Sequence, residues 1–137
     1  MTTVFQGLFN RDIGDSEILD SLSKVFDISR DRIFITNDIC SIDTKLDNIE
    51  LLCEKTSIKG SFQNMLTLYL RSQNLRKAGY VEQNIFIQLC KLLNCECLIS
   101  DDSYNPFTMI LIKSNGIKSV SFIPEDMDNE IYNIAEY

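Results

Sequence analysis

Apolar positions recur along the chain with two periods, and the switches between them outline its elements. The stretch TVFQGLF (3–9) is apolar and β-branched enough to predict a first strand, although Gly7 weakens it. GDSEILDSLSKVFDIS then places Ile18, Leu19, Leu22, Val25 and Phe26 at helical spacing, with Asp15 or Ser16 available to cap the start and acids along the outer face. RIFITN (32–37) reads as a short strand, and DICSIDTKLDN as a long polar connection anchored by Ile39, Ile42 and Leu46. Segment 62–71 fits two templates. Leu66, Leu68 and Leu70 alternate with polar or amphipathic residues as in a strand, while Phe62, Met65, Leu66, Tyr69 and Leu70 also fit a helix. A run of Thr, Leu and Tyr behind a turn favours two strands, near 49–56 and 64–71, joined through Gly60.

YVEQNIFIQLCKLLN is the clearest helix. Val81, Ile85, Phe86, Leu89, Leu92 and Leu93 form its apolar stripe, and Asn94 suits a left-handed stop. CECLIS, FTMILIK and KSVSFI follow as strands, the last two joined by Asn115-Gly116, a hairpin signal because both turn residues must accept positive φ. If Ser114 faces Ile117, then Met109, Leu111, Val120 and Phe122 share one face, and Ser119 and Ser121 lie on the other beside Ile110 and Ile112. The elements predict an α+β fold: a single domain over 1–137 with a mainly antiparallel sheet of about six or seven strands and two helices packed on it.

Composition narrows the chemistry. A chain of 137 residues with 45% hydrophobic positions can bury a continuous core without disulfides or metals. Its most apolar runs, MILI and IFIQLCKLL, are far shorter than the roughly 20 residues that cross a bilayer. MTTVFQGLFNRD lacks the basic region and apolar core of a signal peptide, so the expected location is cytoplasmic. Five irregularly spaced cysteines fit free thiols in a reducing compartment.

The net charge is -7 and unevenly distributed. Residues 12–54 hold eleven acids against Lys24, Arg30, Arg32 and Lys45; residues 55–91 hold six bases against Glu82 alone; the stretch from Glu125 onward holds five acids and no base. Such a balance repels phosphate backbones and anionic membranes and attracts a basic partner. The plainer explanation is that acidity keeps a small domain soluble.

There is no His, which removes the commonest general base, metal ligand and triad partner. Cys95-Glu96-Cys97 lacks the spacing of zinc or redox pairs, and alternation along a strand makes both thiols core residues on one face, with Cys90 near them. Asp101 and Asp102 are not followed by a spaced oxygen-ligand loop, so DDSYNP reads first as a turn between two strands. Asp20-Ser21-Leu22 matches the phosphopantetheine tripeptide of acyl carrier proteins, but in mid-helix, where chance explains it. No catalytic residue, metal or cofactor is therefore expected. An enzyme using Asp101 and Asp102 as acid and base is the rival reading, weakened because side chains of adjacent residues diverge. A non-catalytic adaptor subunit is a third.

FIQLCKLLNCECLISDDSYNPFTMILIKSNGIKSVSFIPED runs helix, Leu-x-Cys, strand, Asp-Asp, Asn-Pro-aromatic, strand, Asn-Gly, strand. In this last third the chain resembles small bacterial immunity proteins, the antitoxins of contact-dependent growth inhibition and other polymorphic toxin systems. The resemblance implies a non-enzymatic cytoplasmic protein that binds the C-terminal domain of a cognate toxin, such as a basic nuclease, and blocks its active site. Its contacts would fall on Asp101, Asp102, Glu125, Asp126, Asp128 and Glu130, with Tyr104 and Tyr132 as aromatic anchors. The acidic helix face of Asp15, Glu17 and Asp20 is a competing surface.

Overall fold

Runs of apolar and β-branched residues, buried on both faces in β1, β3, β5 and β6, build a seven-stranded sheet from β1 (Thr3–Phe9), β2 (Ile33–Thr36), β3 (Leu51–Ser57), β5 (Asn64–Leu70), β6 (Cys97–Ser100), β7 (Thr108–Lys113) and β8 (Gly116–Ser121). The computed structural model describes residues 3–38, 46–105 and 107–135. In space the strands run β2-β3-β5-β1-β6-β7-β8; β2 and β3 are parallel and every other neighbouring pair is antiparallel. The fold is α+β, as the periodicities predict. Segment 62–71 is a strand for most of its length, with Leu66, Leu68 and Leu70 all turned into the core.

Helices α1 (Asp15–Phe26) and α3 (Glu82–Leu93) cover one face of the sheet. α1 buries Ile18, Leu22 and Phe26; α3 buries Ile85, Phe86, Leu89, Cys90 and Leu93. Val81 and Leu92, which the helical stripe assigns to the core, are exposed instead, and Cys90 fills the stripe. Gly7 does not interrupt β1. A Cβ there would stand 2.7 Å from a ring carbon of Phe86 and 2.8 Å from Cys97 Sγ, so its missing side chain is what lets α3 lie against the strand. The start of α1 is also corrected: the cap is Gly14, whose N–H reaches the Glu17 carboxylate at 3.4 Å, one residue before the predicted capping positions.

The other face carries a second apolar cluster of Leu8, Phe62, Leu98, Leu111, Val120 and Phe122. It is covered by a C-terminal hook consisting of α4 (Pro124–Asp128) and β9 (Ile131–Tyr132), which the periodicities do not predict. β9 runs parallel to β4 (Lys59–Gly60) in a separate two-stranded ladder. The hook then returns to the end of β8, where Ile123 N–H bonds Asn133 C=O at 3.1 Å and Ala135 N–H bonds Ser121 C=O at 2.8 Å. A further short helix, α2 (Gln73–Lys77), is capped by the Ser72 hydroxyl, 3.2 Å from Leu75 N–H.

Met109, Leu111, Val120 and Phe122 do share one face, but the hairpin register is shifted. Lys113 pairs with Gly116, so the turn residues are Ser114 and Asn115, and Gly116 starts β8 at φ +144°. The expected and observed pairings differ by an even number of residues, which leaves every side chain on its predicted face. Of the expected anchors in the β2–β3 connection, Leu46 is half-buried, and its carbonyl accepts from Arg71 Nη1 at 2.8 Å. Ile39 and Ile42 lie outside the described residues. No helix among those described is long and apolar enough to cross a membrane.

Candidate docking surface

The loop after β6 is built from short polar side chains that hydrogen-bond their own backbone. Asp101 accepts from Ser103 N–H at 3.0 Å, Asp102 N–H reaches Ser100 Oγ at 3.2 Å, and Asn105 Oδ1 accepts from Phe107 N–H at 3.0 Å. The Ser103 and Thr108 hydroxyls, 2.7 Å apart, tie the loop to the start of β7. Asp102 sits in the left-handed region at φ +61°, a conformation Asp tolerates better than most residues. The Ser103 N–H, helped by nearby hydroxyls, holds the Asp101 carboxyl below the usual range. What remains outward is the Asp102 carboxylate and the whole of Tyr104, which is fully exposed. Neither has a hydrogen-bond or ionic partner among the described residues.

α4 starts close by. Phe122 N–H bonds Phe107 C=O at 2.7 Å, and Phe107 and Met127 pack into the same apolar cluster, so the loop base and α4 meet where β7 starts and β8 ends. Glu125 and Asp128 are exposed there. Asp126 is partly buried and accepts from Asn133 Nδ2 at 3.1 Å, which fastens the hook.

The eight predicted contact residues thus do not form one patch. Tyr132 is no free anchor: its ring stands edge-on to Phe122 with centroids 5.8 Å apart, and its carbonyl accepts from Ser61 N–H at 3.1 Å. Glu130, exposed and at φ +58°, lies with Tyr132 beside Lys59, toward the opposite end of β6. Asp101 and Asp126 are half-buried and serve local geometry. Asp102 and Tyr104 on the loop, and Glu125 and Asp128 on α4, are the ones left exposed.

One further carboxylate, Glu82, lies near Asp102, and the sequence pattern does not mark it. β1 pairs with β6 only at Leu8 and Phe9; nearer its start, the Gln6 N–H is taken by the Glu82 carboxylate at 3.1 Å. Burial, reinforced by the charge of Asp102, raises the Glu82 carboxyl above its ordinary range, against the lowering effect of the Gln6 N–H. Its one sequence signal is that it is the only acid in the basic stretch 55–91.

The competing acidic face is arranged differently. Asp15 lies 3.5 Å from Lys55 Nζ, Asp20 lies 3.3 Å from Arg30, and Glu17 takes Arg11 Nη2 at 2.6 Å. Each acid on α1 named as a candidate therefore has a base. Among the described residues, no Lys or Arg nitrogen lies within 4.0 Å of a carboxylate oxygen of Asp101, Asp102, Glu125, Asp126, Asp128 or Glu130. No protein-family model, curated protein or solved structure matches the chain.

Proposed function

We propose that this protein is a cytoplasmic immunity protein that neutralises a cognate toxin domain by laying the Asp101–Asn105 loop and the start of α4 into its basic active site. The observation that carries the reading is the pairing contrast: the acids of this end have no intramolecular counter-charge among the described residues, whereas the α1 candidates do. Unpaired carboxylates set up a field that steers and orients a basic partner. Tyr104 supports the same reading, because a fully exposed aromatic on a hydrogen-bonded loop offers contact area at low ordering cost. No step of this function requires a cofactor or chemistry by the chain itself.

The test is co-expression with the C-terminal domain of a toxin whose gene neighbours the one for this chain. The expected result is rescued growth and a complex that survives size exclusion. Cells that still die, with the two proteins eluting separately, would show the reading to be wrong.

A further inference from the structure

Among the described residues, three of the four thiols gather where α3 ends and β6 begins. Cys90 is buried in the last turn of α3, Cys97 is fully buried as the first residue of β6, and Cys95 lies half-buried between them. The helix end, rather than a sequence motif, brings them together. Asn94 turns left-handed at φ +53°, and Cys95 N–H closes onto Cys90 C=O at 3.2 Å. That closure stacks the side chain after the turn on the one in the preceding helical turn. Cys90 and Cys95 are thus the two residues that the helix-end closure sets side by side. On its outer side, Cys95 lines a surface depression with Asn10, Arg11, Asn94, Glu96 and Ser114. Arg11 is fixed there by the Leu93 carbonyl at 2.6 Å and by Glu17.

We propose that Cys90 and Cys95 form a redox modification site, closing to an intramolecular disulfide when a hydroperoxide enters through this depression. The Cys95 thiolate attacks one peroxide oxygen; the O–O bond breaks, and the sulfur becomes a sulfenic acid while the other oxygen leaves as water or an alcohol. Cys90 then attacks that sulfur, the S–O bond breaks, and water departs. Two thiols lose two hydrogens and one peroxide is reduced. Cys97 is shut away from solvent and takes no part. The groups facing Cys95 set the pace: hydrogen bonding to Cys90, burial, and the charge of Glu17 hold it protonated at neutral pH, and only Arg11 pulls the other way. Cys95 pulls the Cys90 thiol down, but Cys97, burial and the charge of Glu96 together outweigh it and raise Cys90 as well. Oxidation is therefore slow and base-accelerated, about tenfold faster per pH unit, because the thiolate is the nucleophile.

The experiment uses the reduced full-length chain, treated with hydrogen peroxide, alkylated, and digested with trypsin and a Glu-specific protease. Cleavage after Glu82, Lys91 and Glu96 places the three thiols on separate peptides, 83–91, 92–96 and one beginning at Cys97. The expected product is a cross-link between the first two that is reversed by dithiothreitol, forms about tenfold faster per pH unit, and is absent from Cys95→Ser. A cross-link through Cys97, over-oxidised Cys95 without any cross-link, or thiols left unmodified would each overturn the proposal.

Discussion

The outer face of α1 and the end of the sheet formed by the Asp101–Asn105 loop with α4 carry the same kind of charge, yet their carboxylates have different surroundings. On α1, bases from both flanking loops and from β3 (Arg11, Arg30 and Lys55) answer Glu17, Asp20 and Asp15. In the loop and α4, the hydrogen-bond partners of Asp101 and Asp126 are Ser, Thr and Asn groups, which fix geometry and leave the charge in place. A net charge of -7 does not distinguish these surfaces; local pairing does. Ion pairs at exposed sites contribute little to stability, so α1 depends on its buried stripe, and the unpaired surface is the one whose field is open to a partner.

The largest effect expected from this comparison concerns what holds α1. Leu22→Ala should lower unfolding stability by about 2–5 kcal/mol, because Leu22 is fully buried. Asp20→Asn should change it by less than about 1 kcal/mol, since the Asp20 and Arg30 side chains are 54% and 55% exposed. Equal costs in urea denaturation would mean that ion pairs hold the helix. Next, on the proposed function, Tyr104→Ala should weaken binding to the toxin domain about 30-fold, the scale of an interface hot spot, while leaving stability nearly unchanged. An unaltered affinity would remove Tyr104 from the interface. Glu130→Gly should raise stability by up to about 1 kcal/mol by relieving a left-handed backbone at a residue that gains little from it. A loss of stability would assign the Glu130 side chain a structural role instead.

The smallest effects are in pH dependence, and the two carboxyls have opposite signs. The Arg11 hydrogen bond lowers the Glu17 carboxyl, so its contribution is present above the ordinary glutamate range and disappears as pH falls through its depressed value. Burial raises the Glu82 carboxyl, so the folded state takes up that proton first, and the wild type should gain on Glu82→Gln as pH falls through the raised value toward the ordinary range. Urea midpoints measured against pH for Glu17→Gln and Glu82→Gln should therefore diverge from wild type in opposite directions.

Strands with one residue type per face were legible because a period of two is insensitive to small slips. The β7–β8 register was mispredicted by an even number of residues, yet Leu111 and Val120 still reached the predicted face. The C-terminal hook was not legible. Met127, Tyr132 and Ile134 follow no single period, because a five-residue helix and a two-residue strand each turn only one or two side chains onto the second apolar cluster. The density of acids around them points to solvent in the sequence, yet the Tyr132 ring packs on Phe122. Glu82 escaped notice for a related reason: its role depends on β1 and β6 parting beyond Leu8, a long-range feature with no local signature.

The most direct test of the central claim compares two charge reversals in one binding assay. The toxin domain of the proposed function is titrated with wild type, with Asp101→Lys/Asp102→Lys and with Asp20→Lys, each at low and high salt. If the unpaired acids dock the partner, the loop variant loses about a hundredfold in affinity and most of its salt dependence, and Asp20→Lys binds like wild type. If the loop variant binds unchanged while Asp20→Lys fails, the docking surface is α1 and the pairing contrast has been misread.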